Sequence, residues 1–103
     1  MKIYISVPIT GRDIENVESD IIYAKGVIEK KGHTPVSPFD ISEDPGATYN
    51  EHIGNDITAL LNGDAVYFCD GWRQSKGCRL EYQAAFIYEK EMFFSLENIP
   101  NKK

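Results

Sequence analysis

Cysteine is scarce in this chain of 103 residues: only Cys69 and Cys78 are present. Two cysteines cannot build a disulfide scaffold, and their spacing is too wide for a CxxC redox or zinc pair. They read as small buried hydrophobes in a reducing compartment. Positive charge is also short, with 11 Lys and Arg against 16 Asp and Glu and a formal net charge of −5. A protein that wraps nucleic acid needs a basic face, so this balance argues against nucleic acid as a partner. A few local donors still suffice to hold one phosphate, so a small nucleotide is compatible with it. No apolar run is long enough to span a membrane. Met1 to Ser6 goes straight into a strand-like pattern, without a signal peptide's longer apolar stretch or small-residue cleavage site. The expected location is the cytoplasm.

Common site signatures are missing too. There is no GxGxxG and no GxxxxGK[ST] phosphate loop. No His, Cys or acid cluster has metal-ligand spacing, and no Ser/His/Asp triad is readable. His33 precedes a strand and reads as a turn residue. His52 lies one helical turn before Asp56; it reads as a partly exposed structural residue, though within reach of a ligand there. No metal site is expected.

What is present is ordinary globular composition, 42% hydrophobic and 26% charged, enough for a single domain over residues 1–103. Ile3 to Val7 is β-branched and aromatic, ends at Pro8, and reads as a first strand. Ile14, Val17, Ile21, Ala24 and Ile28 recur at helical steps, with Asp13 as N-cap and Gly32 as the stop. Thr34 to Phe39 reads as a second strand, placed near a sheet edge by its two prolines. Residues 40–48 form the longest loop, with a turn at Pro45-Gly46. A helix from Tyr49 to Asn62 carries Ile53, Ile57, Leu60 and Leu61 on one face and ends at Gly63. Ala65 to Cys69 is continuously apolar, as a central parallel strand buried on both faces would be. Asp70 to Lys76 is a polar loop carrying Trp72. A third helix spans Gly77 to Lys90, a fourth strand Met92 to Leu96, and the remaining polar tail is expected to fray.

This alternation implies an α/β three-layer sandwich, flavodoxin- or Rossmann-like, around a small parallel sheet of about four to five strands. Ligands of such sheets bind beyond the carboxyl ends of the strands. That directs attention to residues 6–12, 39–48 and 69–77.

Two acids are oddly placed. At about 100° per residue, with Ile53 at zero, Ile57 falls at about 40° and Asp56 at about 300°, on the border of the buried stripe. Glu81 has Gly77, Cys78, Ala84 and Ala85 as turn-neighbours, which leaves space beside its carboxylate, and the apolar stripe of Leu80, Ala84 and Ile87 borders it. Both acids would be ordinary surface residues if they paired with a cation such as Arg79. Otherwise burial raises their pKa values, as at many active sites. The loop from Gly71 to Gly77 runs from a central strand into a helix N-terminus, an anion-binding geometry, with Ser75 offering a hydroxyl and Lys76 a charge. Trp72 either stacks on a base or covers the sheet end.

Tyr4, Asp56 eight residues before Asp64, and Ser75-x-Gly77-x-x-x-Glu81 resemble the nucleoside 2-deoxyribosyltransferase family. The resemblance is greatest to a little-characterised prokaryotic branch. Its first-strand motif reads Tyr-Ile-Ser-x-Pro-Ile-Thr-Gly, here Tyr4 to Gly11. Its loop motif reads Gly-Trp-x-x-Ser-x-Gly-x-x-x-Glu, here Gly71 to Glu81. The resemblance implies cleavage of an N-glycosidic bond, with Glu81 attacking C1′ of a 2-deoxyribosyl group to form a covalent sugar ester. It further implies that Asp56 protonates the departing base and that Tyr4 contacts or orients the nucleophile. Ser6, Thr10, Gly11, Trp72, Ser75, Lys76 and Gly77 would contact substrate. A serine at position 75, where nucleoside-using transferases carry aspartate, favours a deoxynucleoside 5′-monophosphate. Pro8 stands where the related hydrolases have a Gly-rich stretch, and it removes one backbone donor. The resemblance implies no cofactor. So short a chain can barely enclose a nucleotide, so a homo-oligomer is expected. A non-catalytic nucleotide sensor, or a hydrolase of another N-ribosyl nucleotide, stays open as an alternative.

Overall fold

The computed structural model describes residues 1–41 and 46–103. Pro45 and part of the expected 40–48 loop lie outside the described residues. The sheet has four parallel strands in the order β2-β1-β3-β4, formed by Lys2–Ser6 (β1), Thr34–Val36 (β2), Ala65–Phe68 (β3) and Glu91–Phe93 (β4). The helices are Ile14–Lys30 (α1), Pro38–Ile41 (α2), Tyr49–Asn62 (α3) and Lys76–Ile87 (α4).

The chain first steps from β1 to β2, then crosses back over β1 to β3 and on to β4. Right-handed crossovers therefore place α1 on one face and α3 and α4 on the other. Strand alternation sorts the core accordingly. Ile3, Ile5 and Val7 pack with Val17, Ile21, Ala24 and Ile28 of α1. Tyr4 faces the other way, into a cluster with Leu60, Val66, Phe68 and Ala85. The expected three-layer α/β sandwich is thus the fold, with β3 central and proline-bearing β2 at an edge. Register pairs Ile3 with Ala65 and Ser6 with Phe68, so β1 and β3 end side by side at the point where the strand order reverses. The crevice of a doubly wound sheet opens there.

Local chemistry sets the element ends. Asp13 caps α1 by accepting from the Glu15 amide. Gly32, at φ +89°, closes it: the amides of Gly32 and His33 return to the carbonyls of Glu29 and Ile28.

Several expectations are corrected. The second strand stops at Val36, because Ser37-Pro38 starts α2. Pro38 supplies a preset φ at the first helical position, and Asp40 reaches back to accept from the Ser37 amide at 2.9 Å. The fourth strand ends at Phe93. Residues Trp72–Gln74 and Leu96–Asn98 form short 3₁₀ turns rather than open loop and strand end. The tail does not simply fray. Lys31 Nζ donates to the carbonyls of Leu96 and Ile99, a His33 ring nitrogen meets the Pro100 carbonyl at 2.6 Å, and the Lys102 amide donates to Lys31 O. Finally, α4 buries Cys78, Glu81 and Ala85, whereas Leu80 and Ile87 of the expected stripe are exposed. No helix among the described residues is long and apolar enough to cross a membrane.

Candidate active site

Tyr4 and Ser6 sit two residues apart on β1 and so point to the same side of the sheet. Helix α4 starts over that side. Ser75 caps it, its hydroxyl oxygen accepting from the Cys78 amide at 3.2 Å. This start turns Cys78 and, one turn later, Glu81 towards the sheet. The Tyr4 hydroxyl donates to Glu81 Oε2 at 2.6 Å and the Ser6 hydroxyl to Oε1 at 2.7 Å. Glu81 is 5% exposed. The ion pairs among the described residues, Arg12–Asp20 and Lys25–Asp40, leave it out, so the cation partner that an ordinary surface acid would have is not Arg79.

Burial pushes the Glu81 carboxyl up to about 7; the hydrogen bonds from Tyr4 and Ser6 pull against that shift, and the charge of Asp56 adds to it. Tyr4 is raised above its ordinary value by burial and then by the nearby Glu81 and Asp56 carboxylates. Its hydroxyl therefore stays protonated and serves as a donor.

Asp56 comes from α3, where Thr48 caps the first turn by accepting from the Glu51 amide. It lies deeper than the border position that helical projection assigns to it. At 8% exposure it is more buried than Ile53 and Ile57 beside it. Its Oδ1 is buried with no hydrogen-bond partner among the described residues. Burial lifts its pKa to about 6, against a pull from His52. An unpartnered buried carboxyl oxygen is costly, and a water or a ligand atom reaching it would offset that cost.

Both acids open onto one cleft of about 270 Å³, walled by Val7, Ile9, Phe39 and Ile53 and rimmed by Thr10, Ser75 and Gly77. A wider depression of about 940 Å³ shares Thr10, Tyr49, Ser75 and Gly77 and adds Arg12, Gln74 and Lys76. Apolar walls with a few converging polar groups are the usual make-up of a small-molecule site. Among the described residues, no three His, Cys, Asp or Glu side chains converge to hold a metal.

Residues 1–94 match the family described as a domain of unknown function, DUF4406. The chain belongs to the DUF4406 family. No curated protein matches it significantly. Among solved structures, the DUF4406 chain resembles a 2-deoxyribosyltransferase from the psychrotolerant bacterium Bacillus psychrosaccharolyticus. The TM-score is 0.69 at 21% identity, over 89% of this chain and 69% of that one. The DUF4406 fold is therefore that of a 2-deoxyribosyltransferase.

Within this DUF4406 domain, Tyr4, Asp56 and Glu81 are brought together, as are Thr10, Ser75 and Gly77 on the cleft rim. Lys76 lines only the wider depression, and Gly11, at φ +79°, lines neither. Ser6 is fully buried behind Glu81, so the expected substrate contact is corrected to a contact with the carboxylate. Trp72 lines neither depression. It stacks on Tyr82 at 5.0 Å between ring centres and packs against Phe68 and Phe94, with Arg73 over its ring. Of the two roles open to it, the structure places it in packing.

From the sequence, Phe39 and Arg12 stand out only as members of the segments that follow the strands, and Cys78 only as a small neighbour of Glu81. Cys78 was recoverable, because it lies one turn before Glu81 on the same helix face. Phe39 is not recoverable individually, because its place in the cleft wall depends on the α2 turn that Pro38 starts.

Proposed function

We propose that this protein cleaves the N-glycosidic bond of a deoxynucleoside 5′-monophosphate through a covalent glutamyl-sugar intermediate. One observation carries the reading: two buried acids face a single cleft in contrasting surroundings. Glu81 has a hydrogen bond on each oxygen, whereas Asp56 Oδ1 has no partner among the described residues. Such a pair divides nucleophile from acid. The likeness in fold to a 2-deoxyribosyltransferase gives the reading further support.

In the first step a Glu81 carboxylate oxygen attacks C1′ while the bond from C1′ to the base nitrogen breaks. The proton of the Asp56 carboxyl passes to the base, which leaves neutral. Charge building on the sugar ring is met by the adjacent carboxylate. In the second step water, or a second base, attacks C1′. Asp56 takes the proton back and Glu81 is released as carboxylate. Thr10, Ser75 and Lys76, with the α4 N-terminus, hold the phosphate. The reaction uses no cofactor, and Glu81, Asp56 and Tyr4 are its catalytic residues.

The protein works as a cytoplasmic homo-oligomer of single-domain subunits, and a second subunit helps to enclose the nucleotide. The exposed Leu80, Phe86 and Ile87 of α4 offer an apolar surface for that contact.

The test is incubation of pure protein with a panel of deoxynucleotides and deoxynucleosides, followed by chromatography for free base. Wild type should release base from a monophosphate, and folded Glu81→Ala should not. Absence of release by wild type, or equal release by the variant, refutes the reading.

A further inference from the structure

We infer that Ser6 is a positioning residue for Glu81, the second of two hydroxyls that hold its carboxylate in one plane. Ser6 is 0% exposed, so it has no surface to offer a substrate. Its hydroxyl instead donates to Glu81 Oε1 at 2.7 Å. Tyr4 holds the other oxygen at 2.6 Å. A carboxylate's terminal torsion is a broad, two-fold rotor, so a single hydrogen bond restrains it poorly. Two donors on opposite oxygens fix both its position and its plane. They leave each oxygen a further lone pair, as attack on carbon requires. The two donors come from one strand at a spacing of two, so the rigidity of β1, which is paired on both sides, is passed to the nucleophile.

The surroundings of Ser6 support this role. Cys78, at the start of α4, lies close enough to Ser6 and Ser75 for both hydroxyls to act on its thiol, which places Ser6 against the α4 N-terminus. The groups facing the Glu81 carboxyl are then Tyr4 and Ser6 from β1, Cys78 from α4 and Asp56 from α3, with His52 acting on Asp56. Ser6 and Tyr4 favour the ionised carboxylate, whereas burial and Asp56 oppose it. Without Ser6 the balance moves towards the neutral acid, which is no nucleophile.

The catalytic meaning rests on the glycosidase reading, but the positioning can be measured without it. Wild type, Ser6→Ala and Ser6→Thr, each labelled with ¹³C at glutamate carboxyls, are titrated by NMR; Glu81→Gln identifies the resonance. The Glu81 midpoint should rise in Ser6→Ala and return towards the wild-type value in Ser6→Thr, which keeps the hydroxyl. If base release is found, Ser6→Ala should lower kcat on the order of tenfold and change KM by less than about twofold. An unmoved Glu81 midpoint in folded Ser6→Ala overturns the inference, as does a KM change with kcat intact. If Ser6→Ala does not fold, Ser6→Cys, a weaker donor, takes its place with the same expected direction and the same overturning result. A shifted midpoint without base release from any nucleotide upholds the positioning and refutes only the proposed activity.

Discussion

The Tyr4 hydroxyl lies 2.6 Å from Glu81 Oε2, joining residues 77 positions apart in the chain. The contact links a central strand to the last helix in the interior, where an ionised carboxylate has few ways to be solvated. The bond matters most when Glu81 carries its charge, because a hydroxyl donor favours the ionised form.

Tyr4→Phe should therefore lower stability by about 1–3 kcal/mol, the range for leaving a buried acceptor short of a donor. The loss should be larger at pH 8, where Glu81 is ionised, than at pH 5. Urea unfolding of both proteins at the two pH values checks this. An equal loss at both would mean that the ring's fit, not the hydrogen bond, is what the substitution disturbs.

Stability should fall as pH rises through the range where the two acids titrate. Folding raises Asp56 from 3.8 to about 6 and Glu81 from 4.5 to about 7. The folded state then holds protons that the unfolded state releases, so stability is full below the unfolded values and declines up to the folded ones. Asp56→Asn should flatten its share of that decline, gaining up to about 3 kcal/mol over wild type at pH 8 relative to pH 4. A pH series of melting temperatures decides. Parallel curves for the two proteins would contradict the burial argument.

Activity should follow a narrow bell. Attack needs ionised Glu81, and leaving-group protonation needs neutral Asp56. With values of about 7 and about 6 respectively, the two demands overlap best between those limits. The two acids influence each other, so the limbs belong to the pair rather than to either residue. Asp56→Asn should abolish the alkaline limb and lower kcat on the order of a hundredfold or more, with least effect on bases that leave easily. Profiles of kcat/KM against pH for both proteins test this.

Trp72→Ala should act on stability and not on ligand binding. The side chain is part of an aromatic cluster with Phe68, Tyr82 and Phe94, so its loss should cost about 3 kcal/mol. Nucleotide affinity, read by calorimetry on the folded variant, should stay within about twofold of wild type. A large loss of affinity would return Trp72 to the site.

Periodicity made most of the fold legible. The α1 stripe of Val17, Ile21, Ala24 and Ile28 and the apolar run of β3 are patterns that hydrophobic burial writes directly into the chain. Capping was legible at Asp13 and Gly32 for the same local reason. The segment from Ser37 to Ile41 reads from sequence as strand end and loop, because Pro38 follows Pro35 in an extended-looking run and the backward reach of Asp40 to the Ser37 amide leaves no periodic signal. The buried side of α4 was misassigned too. Its alternatives, the Leu80/Ile87 side and the Cys78/Glu81 side, differ in which hydrophobic surface is left outside, and only docking on the sheet chooses between them.

The strand order comes from the structure; the sequence alone is enough for the layers, a parallel sheet with helices on both faces, and the odd standing of Asp56 and Glu81. Those features follow from local propensity and from where apolar side chains recur along one helix or strand. It took the packed fold to show that, among the described residues, Glu81 meets hydroxyls and no cation, that Ser6 stands behind it, and that Asp56 Oδ1 has no partner in the same cleft. Such facts depend on β1, α3 and α4 converging from distant parts of the chain. Burial and partnership are properties of that convergence, and no single segment encodes them.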